Sequence, residues 1–209
     1  MEPALWRSLP LAGVLLLIAI AFIWRPWLQQ RRYGTRGIVV FQPGNRAQFV
    51  RECCGVLLLV LLVGQAVLAV WWPESLSPVA MESEWAVDFQ RMFGALLLFG
   101  GIVLLVTAQL DLGASWRIGI EEGVAPGLVT GGLYRFCRNP IFLAFFVFVA
   151  GYALLLPTRL SLLLFIGTYI GVRQQVSVEE GWLLRAYGDR YRDYARRVGR
   201  FVPGLGKLR

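Results

Sequence analysis

The sequence predicts an all-α integral membrane protein: five transmembrane helices, the last two forming a short hairpin, and then a cytoplasmic interfacial helix at the C-terminal end. Three observations predict it. The 209 residues are 57% hydrophobic with mean hydropathy +0.59, where a soluble domain is nearer half apolar. Several apolar runs approach the ~20 residues that a helix needs to cross a bilayer. The basic residues fall in alternate loops, the bias that sets membrane topology. One membrane domain accounts for the chain, with three spans in residues 1–110 and a distinct C-terminal unit in 111–209.

The first span lies between Trp6 and Trp27, tryptophans that anchor at both interfaces. Its apolar run continues through Phe22, Ile23 and Trp24, past the cleavage-like Ala19-Ile20-Ala21, so it reads as an uncleaved span. The second runs from Cys53 to Trp72 and the third from Phe93 to Leu110, where Gly94, Gly100 and Gly101 suggest close helix packing. The fourth, Ile141 to Leu156, and the fifth, Leu160 to Val172, are short and are joined by the turn Pro157-Thr158-Arg159. Extending the fifth to Glu180 gives about 30 Å at 1.5 Å per residue. Arg173, Ser177 and Glu180 then share one helix face, and a polar stripe at that depth faces protein or a wet cavity unless the helix leaves the membrane near Arg173. From Glu179 to Val198 the spacing of Leu183, Tyr187, Tyr191, Tyr194 and Val198 predicts one more helix, ended by Gly199 and Pro203. Its aromatic stripe suits the membrane interface or packing on the body of the protein.

The first loop carries Arg25, Arg31, Arg32, Arg36, Arg46 and Arg51, and the tail carries Arg185, Arg190, Arg192, Arg196, Arg197, Arg200, Lys207 and Arg209. The second loop holds Glu74, Glu82, Glu84 and Asp88 against Arg91 alone. This pattern puts the N-terminus outside and the C-terminus in the cytoplasm, as in a bacterial inner membrane. Net charge is +8, yet the basic residues flank spans instead of forming one basic domain, which argues against nucleic-acid binding. The chain has no histidine, which removes histidine zinc sites and histidine bases, and no metal site is expected. Cys53, Cys54 and Cys137 are read as buried free thiols, since adjacent cysteines do not form an ordinary disulfide.

Chemistry concentrates in the last third: Thr130-Gly131-Gly132-Leu133-Tyr134-Arg135-Phe136-Cys137-Arg138-Asn139-Pro140-Ile141-Phe142, then Glu179-Glu180, then Tyr187-Gly188, Tyr191, Tyr194 and Arg200-Phe201-Val202-Pro203. Gly131 and Gly132 allow close approach of backbone to a ligand. Arg138 offers a planar fork to a carboxylate, Pro140 suits the first turn of a helix, and Glu179 or Glu180 can accept from hydroxyl or amino groups. In order and spacing these segments resemble the signature of the isoprenylcysteine carboxyl methyltransferase family, which shares its C-terminal fold with phospholipid methyltransferases. Ser115-Trp116-Arg117-Ile118-Gly119 also resembles bacterial members. The likeness covers about the last hundred residues.

The resemblance implies an S-adenosylmethionine-dependent membrane methyltransferase. By it, Gly131, Gly132, Leu133, Tyr134, Arg138, Asn139, Pro140, Phe142, Glu179 and Glu180 hold the donor, and Asn139 and Arg173 serve the reaction, Arg173 by pairing an anionic acceptor. The implied partner is a lipophilic small molecule or lipid entering from the membrane. Two positions depart from the family pattern of Arg-His-Pro-x-Tyr: Asn139 replaces its histidine and Phe142 its tyrosine. Asparagine keeps a donor and an acceptor but cannot titrate, so any proton handling by that histidine is lost. Two other readings stay open. One is an NADPH-dependent reductase of the related sterol-reductase fold, which would need an arginine cluster for the 2′-phosphate. The other is a non-enzymatic membrane protein that keeps the fold.

Overall fold

The computed structural model describes residues 3–35, 37–41, 45–77, 83–119 and 127–208. Arg36, Glu82 and Arg209, counted above among the flanking charges, lie outside these residues. The described residues are helical, with isolated backbone bridges but no strand. The helices are α1 (Pro3–Ile18), α2 (Arg25–Tyr33), α3 (Arg46–Trp71), α4 (Glu84–Leu112), α5 (Pro140–Leu155), α6 (Arg159–Tyr187) and α7 (Asp189–Arg197). Three stretches are long and apolar enough to cross a membrane: Ala4–Tyr33, Arg46–Trp71 and Glu84–Ser115. The protein is thus an integral membrane protein, and α5 is a shorter apolar helix beside them.

Between α1 and α2 the helix widens into a π-helical turn, Ala19–Trp24. Residues four apart drift around an ordinary helix, and a wider turn cancels that drift. Ala21, Arg25 and Gln29 therefore all stay on the buried face. The Arg25 guanidinium is 1% exposed and meets the C-terminal end of α4, where it donates to the Gly113 carbonyl at 2.7 Å and the Gln109 carbonyl at 3.3–3.4 Å. It also donates to Gln29 Oε1 at 2.7 Å and lies 4.5 Å from the Trp116 ring centroid. A cation is favoured at the negative end of a helix. The contact docks α2 on α4 and fixes where residues 113–119 begin. The loops then pair: Ile118 N–H donates to Gly37 O at 2.7 Å, and Val39 N–H to Ile118 O at 2.8 Å.

The core sits among α1, α3, α4, α5 and α6, on Val14, Leu62, Leu98, Leu105, Phe148 and Leu164. The closest packing is α4 on α5, with glycines on both sides. A Cβ on Gly151 would lie 2.3 Å from Leu98 N, and one on Gly101 would lie 2.7 Å from Phe148 N. Gly94 shares this seam, whereas Gly100 faces open space, so only two of the three expected glycines pack. The hairpin forms as expected. Thr158 caps α6 by accepting from Ser161 N–H at 3.0 Å. Gln65 of α3 donates to both Thr158 and Ser161, and the Tyr152 hydroxyl donates to Leu62 O at 2.8 Å. These bonds satisfy the polar groups at the turn that would otherwise face lipid.

Two expectations are corrected. The stretch from Glu179 to Val198 is not one helix: α6 runs to Tyr187, Gly188 breaks it at φ +53°, and α7 follows. The apolar side of α7, Tyr191, Tyr194 and Ala195, packs on Leu128, Leu183, Leu184 and Val198. Cys53 and Cys54 are exposed on α3; only Cys137 is buried.

Candidate active site

The glycine turn is held from below. Asp111, in the last turn of α4, accepts from Leu133 N–H at 2.7 Å. Gly132 has φ +56°, and a Cβ there would lie 2.3 Å from the Asp111 carboxylate. Glycine is required for both the left-handed conformation and the close approach. Gly131 has open space where a side chain would be. A short 3₁₀ turn, Gly132–Arg135, follows. It buries Tyr134, whose carbonyl accepts from the Tyr194 hydroxyl at 2.6 Å. Burial, with the Glu179 carboxylate adding to it, pushes the Tyr134 phenol well above its usual range. The Cys137 thiol is pushed up by burial as well.

Arg138 and Asn139 meet the tail through the backbone first. Arg138 N–H donates to Gly199 O at 2.9 Å and Asn139 N–H to Arg200 O at 3.2 Å. The Arg138 side chain then donates from every nitrogen. Nε and Nη2 reach Glu180 Oε1 at 3.0 and 2.9 Å. Nη1 reaches the carbonyls of Ala195 at 2.8 Å and Val198 at 2.7 Å, and Nη2 that of Gly206 at 3.1 Å. A guanidinium has five N–H groups; four hydrogen bonds leave from it here, and Nη2 adds the ion-pair contact with Glu180. The fork expected to grip a donor's carboxylate instead fastens the tail to the loop and to α6.

Glu180 is the hub. Its side chain is 5% exposed. Oε1 also accepts from Asn139 Nδ2 at 3.1 Å, and Oε2 accepts from Arg200 Nη2 at 2.6 Å. Asn139 Nδ2 donates to Arg200 O at 3.2 Å too. A buried carboxylate with two guanidiniums and an amide is satisfied by charge-assisted bonds. Asn139 does not cap α5 with its side chain, and Pro140 opens that helix as expected. Phe142 is half-buried two residues further on.

Not every expected residue joins this cluster. Glu179 lies beside it, half-buried, and accepts from Gln175 Nε2 at 3.0 Å. Arg173 and Ser177 are exposed, and Arg173 donates to the Tyr169 hydroxyl at 3.0 Å. The predicted polar stripe on α6 is therefore divided. The motif loop and the tail cover Glu180, while Arg173 and Ser177 line a separate groove against α3. Sequence reasoning missed Asp111, Arg200 as a partner of Glu180, and Tyr194 as a clamp on Tyr134. Asp111 had a signal: a carboxylate in the last turn of a helix is disfavoured by the helix dipole, so it needed another partner.

The fit of a charged nucleoside donor can be tested on what remains open. Two buried polar atoms next to Glu180 have no protein partner, the Tyr191 hydroxyl and Arg200 Nε. Orphaned buried groups call for a water or a ligand. The Gly131-Gly132 rim is exposed, and Glu179 has acceptor capacity to spare. These groups fit such a donor, whereas Arg138 and Glu180 themselves are already engaged.

Residues 89–190, just under half the chain, match the phospholipid methyltransferase family. The chain is 34% identical over 77 residues to the protein-S-isoprenylcysteine O-methyltransferase of Schizosaccharomyces pombe, covering 36% of this chain and 33% of that protein. It is 28% identical over 167 residues to methanethiol S-methyltransferase 1 of Bradyrhizobium diazoefficiens, covering 75% of this chain and 57% of that one. The chain thus spans between a third and three-fifths of the length of these relatives. The solved structure of the eukaryotic intramembrane Ras methyltransferase ICMT superposes with a TM-score of 0.59 at 18% identity, over 94% of this chain and 66% of that one, which shows a shared fold.

Proposed function

We propose, on the strength of the match of residues 89–190 to the phospholipid methyltransferase family, that the chain is an S-adenosylmethionine-dependent membrane methyltransferase. Its acceptor carries a carboxylate, thiol or amine on a small lipophilic body and is reached at the cytoplasmic leaflet. One observation supports this above others. The three motif segments, far apart in sequence, converge on Glu180, and the polar atoms left over at that point are a hydroxyl and a guanidinium N–H.

S-adenosylmethionine supplies, when bound, an electrophilic methyl carbon on a sulfonium. The chain has to bind, align and exclude water. Tyr191 and Arg200 Nε are the groups to meet the donor's carboxylate, Glu179 its hydroxyl or amino groups, and the Gly131-Gly132 rim with Leu133 its approach along backbone. Arg138, Asn139 and Pro140 are positioning residues. Asn139 holds Glu180 and the tail but cannot take a proton, so the acceptor has to arrive as an anion or lose its proton to water. Displacement at a sulfonium by such a nucleophile needs alignment more than acid–base help. Arg173 stands apart from the cluster; if it serves the acceptor side, it does so from the α3–α6 groove and not from the Glu180 site. The named relatives are all methyltransferases, which leaves the nicotinamide reading without support.

The test is binding of S-adenosylhomocysteine to the full chain in detergent, by isothermal titration and thermal shift. Affinity in the micromolar range is expected, weakened at least tenfold by Tyr191→Phe combined with Glu179→Gln. No heat and no shift with donor or product would refute the reading.

A further inference from the structure

A second place on the molecule gathers more positive charge than its own carboxylates offset: among the described residues Glu179 feels Arg51 through space without pairing with it. Where the first turns of α3 pass the middle of α6, a groove of about 790 Å³ opens, lined by Arg46, Val50, Arg51, Arg173, Ser177 and Val178. Its three arginines come from segments more than 120 residues apart. Among the described residues none of the three forms an ion pair. Arg51 Nε donates to Gln175 Oε1 at 3.1 Å, and Arg173 meets only the Tyr169 hydroxyl and ring. Two carboxylates of the same helices hydrogen-bond to other groups. Glu52 accepts from Gln48 Nε2 and from Phe41 N–H, and Glu179 accepts from Gln175. A basic flank that merely followed the positive-inside bias would splay its arginines into water. These line one open groove together, and Gln175 sets the direction of Arg51.

The surroundings of the hollow are apolar. Val50, Tyr169, Ile170 and Val178 are exposed around it. The groove lies where α3 changes from the polar Arg46–Glu52 stretch to the apolar run that begins at Cys53, so it sits at the level of lipid headgroups. Arginine is the side chain suited to phosphate, through its planar fork. Tails lying along the exposed apolar residues would complete the contact.

We infer that the α3–α6 groove is a binding site for an acidic phospholipid, its monoanionic phosphate headgroup held by Arg46, Arg51 and Arg173. The site does not depend on the methyl-transfer reading. It does touch the candidate active site, because Gln175 bonds Arg51 on one side and Glu179 on the other. An occupied groove would hold Arg51, and through Gln175 the Glu179 carboxylate, in a single arrangement.

The experiment is titration of the full chain in a neutral detergent with dioctanoyl phosphatidylglycerol, followed by intrinsic tryptophan fluorescence. Dioctanoyl phosphatidylcholine and inorganic phosphate are the comparison probes. Wild type is expected to bind the glycerol lipid at least tenfold more tightly than the choline lipid, and 10 mM inorganic phosphate should not displace it. The variant Arg46→Gln/Arg173→Gln is expected to lose that preference while melting within about 2 °C of wild type, as exposed positions do. Equal binding of the two lipids, full displacement by inorganic phosphate, or an unchanged preference in the double variant would each overturn the inference. If the double variant melts early, Ala47→Trp, which fills the groove without removing a charge, is the second test: retained tenfold preference there overturns the inference, and its loss supports it. Failure in this assay with S-adenosylhomocysteine binding intact would leave the proposed function standing.

Discussion

Replacing Glu180 by glutamine removes one charge and leaves the shape. Its consequence follows from the network around it. The Arg138 side chain is 1% exposed and its one anionic partner is Glu180; Arg200 is 30% exposed and can turn to water. Breaking a buried pair from one side leaves an uncompensated charge, at a cost of about 3–5 kcal/mol. For a chain of this size each kcal/mol shifts the melting temperature by roughly 2–4 °C, so Glu180→Gln should lower it by roughly 6–20 °C. A thermal scan of tryptophan fluorescence in detergent measures this. Arg138→Met/Glu180→Gln removes both charges and should melt above Glu180→Gln alone, since no buried cation is then stranded. The tail carbonyls of Ala195, Val198 and Gly206 lose their donor in the double variant, so limited proteolysis should cut after residue 188 in it but not in wild type. A shift under 2 °C for Glu180→Gln, or a double variant at the sum of the single effects, would refute the hub.

Other outcomes follow from the same geometry. Gly132→Ala should destabilise the motif loop by about 1–2 kcal/mol from its left-handed backbone alone, and the approach to Asp111 adds to that; Gly131→Ala, in open space, should melt as wild type does, and a scan of both separates them. Gly151→Ala pushes α4 off α5 and should cost more than the about 1–3 kcal/mol of ordinary overpacking, because backbone stands in the way; the readout is the melting temperature in detergent. The Cys137 thiol is buried and its titration is raised, so its thiolate is scarce at pH 8 and becomes more abundant as pH rises. Maleimide should therefore label Cys53 and Cys54 first at pH 7.5, with Cys137 following only at higher pH or in Glu180→Gln, as mass spectrometry of peptides would show.

Much of the fold can be read from the chain because lipid imposes one rule: apolar length means a helix. The hairpin turn at Pro157-Thr158-Arg159 and the start of α5 at Pro140 carry local chemistry that the backbone obeys. The tail was harder, since helical periodicity runs through Gly188 without interruption and only the positive φ there divides α6 from α7. The cysteines misled because an apolar neighbourhood in lipid does not mean burial in protein. At the site, sequence order identified which segments meet. It could not say that Arg138 faces protein carbonyls, since backbone acceptors leave no mark in a side-chain pattern. Nor does spacing along α6 reveal what covers the helix at each height, which is why Arg173 and Glu180 share a face but not a pocket.

The fastening of residues 195–206 by one guanidinium bears on how the protein matures. During synthesis Arg138 is laid down some sixty positions before its carbonyl partners leave the ribosome. Until then the cation lacks the tail carbonyls that take its N–H groups and has to wait in water. The C-terminal half is thus made before it is assembled, and a translation product stalled after α6 would have nothing closed around Glu180.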